Sequence, residues 1–78
     1  MVILIKTQQG SFVNLDNIVA VFADEECVVI EKNNRYLDDE TEVVIFEGTK
    51  DQVQEWMEKF EVAVVNATFG VNIINIEV

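Results

Sequence analysis

Histidine and proline are absent from this chain of 78 residues, serine and cysteine occur once each, at Ser11 and Cys27, and only five residues are basic. Each shortage closes a class of function. Without an imidazole to take the proton, neither a Ser-His-Asp nor a Cys-His nucleophile can be assembled. One cysteine has no partner for an internal disulfide, and without Cys and His clusters no structural zinc site is expected. Cys27 follows Glu26, whose negative charge raises a thiol pKa and disfavours the reactive thiolate, so Cys27 is read as a small packing residue. The apolar opening Val2-Ile3-Leu4-Ile5 is cut by Lys6, too early for a signal-peptide core or a membrane span, and no lipidation motif stands at either end. The expectation is a cytoplasmic protein with no membrane partner.

What is present is apolar and acidic. Half of the residues are hydrophobic, with Val and Ile prominent, the composition of a packed, sheet-rich globule and not of a disordered tail. The length suits a single domain spanning 1–78. A domain this short buries only about 60% of the surface that its unfolded chain exposes, so some of this apolar surplus is expected at the surface, where a homodimer or another partner would cover it. Fifteen acidic residues against five basic ones give a formal charge of −10. Such a field repels nucleic acid and anionic lipid and attracts a basic protein surface.

Hydrophobic periodicity predicts an α+β fold: an antiparallel β-meander of about five strands, one amphipathic helix packed on one face, and a C-terminal strand. Val2 to Thr7 and Phe12 to Leu15 read as a first hairpin closed at Gln8-Gln9-Gly10. Ile18 to Ala23, which contains no polar residue, reads as a central strand; Cys27 to Lys32 and Val43 to Phe46 follow it. Thr49 with Gln52 three residues later forms a capping box after Gly48. Val53, Trp56, Met57, Phe60 and Val64 then recur at helical spacing as one stripe, with the helix end near Asn66. Trp56 is core on this pattern. Val71 to Val78 reads as the last strand, with Ile74, Ile76 and Val78 on one side.

No motif for a cofactor, metal or nucleotide emerges, and no enzyme is expected. The stretch from Asp38 lacks the glycine and the final glutamate of a calcium loop, and Gly48-Thr49-Lys50 lacks the upstream glycine of a phosphate loop. Lys32, Lys50 and Lys59 fall in no arrangement that holds a metal and a phosphate together. The acidic residues themselves are left. In a strict meander, Asp24, Glu25 and Glu26 share one end of the sheet with the helix start and with Glu77, while Asp38, Asp39, Glu40 and Glu42 fall at the other. Asp51, Glu55 and Glu58 form a ladder of carboxylates along the helix, a like-charge row that costs each pair a few tenths of a kcal/mol, about 0.2–0.5.

Ile5-Lys6-Thr7, Gly10 and Val13-Asn14-Leu15-Asp16-Asn17-Ile18 resemble the start of short uncharacterised proteins of low-GC Gram-positive bacteria and their phages, in which a small sheet precedes one helix. The resemblance covers the first quarter of the chain and implies a phage or mobile-element origin. Small acidic proteins of that origin include anti-restriction and anti-CRISPR inhibitors of host nucleases. The plainer reading of the charge is that it keeps a small, apolar domain soluble and discourages edge-to-edge aggregation. The sharper expectation, to which both lines lead, is a non-enzymatic acidic module whose Asp24, Glu25, Glu26, Asp38, Asp39, Glu40, Glu55 and Glu58 occupy a basic groove on a protein partner, with no direct nucleic-acid binding. The alternative is a structural, self-assembling subunit that pairs strand edges, Val71 to Val78 foremost.

Overall fold

The computed structural model describes residues 1–33 and 41–78. Among these residues, six strands, one helix and a single 3-10 turn follow in the order β1 (Val2–Lys6), β2 (Phe12–Asn14), the turn Leu15–Asn17, β3 (Ile18–Ala23), β4 (Cys27–Lys32), β5 (Glu42–Glu47), α1 (Lys50–Val65) and β6 (Val71–Ile74). The α+β class and the β3-β4-β5 meander match expectation, but the strands divide into two three-stranded sheets, ordered β2-β1-β6 and β3-β4-β5.

Three details differ from the sequence reading. β3 is an edge strand and β4 is the central one. The absence of polar residues on β3 does not reflect burial on both faces: Ile18, Ala20 and Val21 are half-buried, while Val19, Phe22 and Ala23 are exposed. The last strand ends at Ile74, not Val78, and pairs parallel with β1, in the register Val2 with Val71 through Ile5 with Ile74. A parallel pairing requires a crossover connection, and here everything from β2 to α1 lies within it.

Local chemistry explains the turns. Gly10 takes φ +90°, the left-handed region open to glycine, and its N–H donates to the Thr7 carbonyl at 3.0 Å. Thr7, buried, satisfies its hydroxyl against Ser11 at 2.7 Å. The capping box is formed in both directions: the Gln52 N–H donates to Thr49 Oγ1 at 3.2 Å, and the Thr49 N–H to Gln52 Oε1 at 2.9 Å. The helix ends at Val65 with Asn66 as its cap, in agreement with the sequence reading.

The core gathers Ile5, Val28, Ile30, Ile45, Phe46, Val53 and Trp56, so both sheets and the helix contribute to it. Trp56 lies between Phe46 and Phe60, with ring centroids at 6.3 and 5.3 Å, confirming it as core. Gln8 joins the sheets. Its N–H donates to the Ile45 carbonyl at 2.9 Å; its side-chain amide donates to the Glu47 carbonyl at 3.0 Å and accepts the Glu47 N–H at 2.9 Å. One glutamine thus imitates a strand on the outer edge of β5.

Candidate functional site

Helix geometry sets the site. At 100° per residue, the stripe of Val53, Trp56, Met57, Phe60 and Val64 faces the core, and Gln54, Glu58, Glu61 and Val65 lie together on the flank turned toward β3. Burial decreases along the stripe: Val53 and Trp56 are buried, while Met57, Phe60 and Val64 are half-buried. The C-terminal half of the helix therefore stands over the edge of β3 without closing on it. An open groove of about 620 Å³ results, with Ile18 and Val21 on the strand side, Met57 and Phe60 in its floor, and Glu58 and Glu61 on its helical rim.

A second hollow, of about 520 Å³, adjoins it at Gln54 and Met57 and reaches Asp24, Glu25 and Lys50. The Glu26 carbonyl accepts the Gly48 N–H at 3.0 Å, which ties the β3–β4 turn to the helix entry. This is the placement that the meander predicts. All of Asp24, Glu25, Glu26, Glu55 and Glu58 are exposed. The structure brings Asp24 and Glu25 to one end of the β3–α1 flank and Glu58 to its middle, and adds Glu61. Glu55 lies about 60° round the helix from Glu58, further toward solvent. Asp38, Asp39 and Glu40 lie outside the described residues. Glu77 is not with the turn: its carbonyl accepts Lys59 Nζ at 2.7 Å, on the opposite flank of the helix from Gln54.

At the base of the turn, half-buried Cys27 opens β4. Burial first, and then the carboxylates of Asp24, Glu47 and Glu26, push its thiol above the ordinary cysteine value. This is the unreactive form expected of a packing residue. Among the described residues, no three His, Cys, Asp or Glu side chains gather closely enough to hold a metal ion. No described helix is long and apolar enough to cross a membrane.

The sequence reading missed the β3 edge and the role of Glu61. Glu61 was legible as a member of the Gln54-Glu58-Glu61 flank, but the groove depends on which strand lies at the sheet margin. Comparison of the chain with protein-family models, with curated proteins and with solved structures finds no match.

Proposed function

We propose that this chain is a non-enzymatic, acidic protein-binding module that docks on the basic surface of another protein, and that it serves as a phage-type inhibitor by occupying a groove otherwise used by nucleic acid. The observation that carries this reading is the shared position of Asp24, Glu25, Glu58 and Glu61 along one flank, on a turn and a helix that are tied together through Glu26 and Gly48. Carboxylates held on rigid elements keep their spacing when they meet a partner, so their combined field is not lost to side-chain rearrangement. Among the described residues that line the two hollows, Lys50 is the one cation, beside four carboxylates.

The test is competition. A basic DNA-binding protein loaded with fluorescent duplex DNA is titrated with the chain at low and at high salt. Release of DNA at low salt, weakened at high salt, is the expected result. A variant carrying Asp24→Asn, Glu25→Gln, Glu58→Gln and Glu61→Gln competes poorly if the flank acts as proposed. Equal competition by that variant would place the activity elsewhere.

A second reading, a self-assembling subunit, is favoured by one feature: Phe69 is 98% exposed beside the open edge of β6, where Val71 and Ile73 are 68% and 61% exposed. Light scattering distinguishes the two, because an apolar assembly persists at high salt.

A further inference from the structure

We infer that the β3 edge, under the flank of α1, is a strand-addition site that takes an extended segment of a partner protein with basic residues alternating with apolar ones. This rests on the protein-binding reading above and names the partner's form.

The edges of the two sheets are not equivalent. β2 has three residues and β6 has four; β5 has six, but its outer edge is taken at Ile45 and Glu47 by Gln8. β3 has six residues, none charged, and no proline. Natural edge strands are usually protected by a lysine, a proline, a bulge or a very short length. On β3 the one such device is a register shift between Ile18 and Ala20, confined to the strand's start. Beyond it, the Asp24 N–H donates to the Cys27 carbonyl at 2.8 Å. The alternation of an antiparallel ladder then turns the N–H and C=O of Phe22 toward β4 and those of Val21 and Ala23 toward the edge that no described strand covers. These are the hydrogen-bonding groups that a guest strand uses.

The groove sets the guest's side chains. β3 spans about 20 Å and the 16-residue helix about 24 Å, so the helical flank runs beside a guest strand over its whole length. Guest residues on the face shared with Val21 and Ala23 point under the helix, where the stems of Lys or Arg lie on Met57 and Phe60 and their charges reach Glu58 and Glu61. The alternate residues continue the opposite sheet face beside Phe22 and are apolar. Charge also selects the guest. A second copy of β3 would bring a second Glu58, Glu61, Asp24 and Glu25 to a chain already at −10, whereas a basic segment neutralises that flank.

The probe is a labelled peptide of six residues, alternating Lys and Val, with blocked ends, titrated against the full chain by fluorescence anisotropy and by backbone amide NMR. Expected results are binding, shifts centred on Val21 and Ala23, and affinity lower by on the order of ten-fold for Glu58→Gln with Glu61→Gln. N-methylation of one alternate set of peptide amides abolishes binding, while methylation of the other set leaves it; this control needs no variant that might fail to fold. Ala23→Pro, which removes an outward N–H at an edge position where proline is tolerated, weakens binding while the circular dichroism spectrum of the fold is kept. Binding indifferent to N-methylation, shifts centred on β6, no binding of the peptide, or a peptide-free dimer that protects the β3 amides would each overturn the strand-addition site. The first and third of these leave DNA competition intact if acidic docking alone is correct.

Discussion

β4 and β1 are each the middle strand of a three-stranded sheet, yet they are buried in different ways. On β4 three successive residues, Val28, Val29 and Ile30, are buried; on β1 burial alternates, with Ile3 and Ile5 inside, Val2 and Leu4 half-buried and Lys6 exposed. The difference lies in what covers the second face. Val28 and Ile30 face the helix, while Val29 lies between its cross-strand neighbours Phe22 and Val44, each 37% exposed, which shield it from water. The sheet around β1 has no such cover on its outer side, where Leu4 pairs with Ile73 and Val2 with Val71. One sheet packs under the helix and, at its β3–β4 turn, holds Asp24 and Glu25. The other closes the core from below and leaves apolar surface exposed.

The sharpest way to break this comparison is truncation on each sheet. Ile30→Ala empties a fully buried site and is expected to cost about 2–5 kcal/mol in urea unfolding, whereas Ile73→Ala is expected to stay within about 0.5 kcal/mol. A comparable loss at both positions would mean that the outer face of the β1 sheet is covered in solution. Next comes Gly48→Ala at the exit of β5. The added methyl would meet Gln52 Oε1 at 2.7 Å and the Phe46 ring at 3.0 Å, displacing the capping glutamine. A loss of about 0.5–2 kcal/mol in thermal or urea unfolding is expected, and an unchanged midpoint would show that the cap is not needed.

Gln8→Ala tests the junction between the sheets. Its two side-chain bonds to the Glu47 backbone are solvent-exposed, so the expected cost is about 1 kcal/mol, with faster hydrogen exchange at the Glu47 amide as the local signature. Unaltered exchange there would sever the link proposed between the sheets. The smallest effect belongs to Cys27. Its thiol pKa is raised in the folded state, so the folded chain holds the proton when the unfolded chain has released it; stability is complete below the unfolded thiol range, about pH 8.5, and declines as pH rises through the folded value. The urea midpoint of Cys27→Ser should lack this decline, and an identical profile would assign the alkaline loss to another group.

Much of this was readable from residue order, and the reasons are local. The capping box, the stripe from Val53 to Val64 and the turn at Gly10 depend on spacings of a few residues, which the backbone alone turns into geometry. The end of β6 was not readable, because Ile74, Ile76 and Val78 keep their alternation beyond the point where β1 stops pairing. The site was half readable: Asp24, Glu25 and Glu58 were named from charge, but their placement along two adjoining hollows was not.

Residue order by itself determined the element types, the acid excess and the absence of histidine, since these follow from composition and short-range periodicity. Tertiary structure alone decided that β3 lies at a margin, that β6 runs parallel to β1, and that Glu61 joins Glu58 above an open strand edge. The physical reason is that strand neighbours are chosen by burial summed over the whole core, to which Ile5, Ile30, Ile45 and Trp56 contribute from distant parts of the chain. No window of sequence contains that sum.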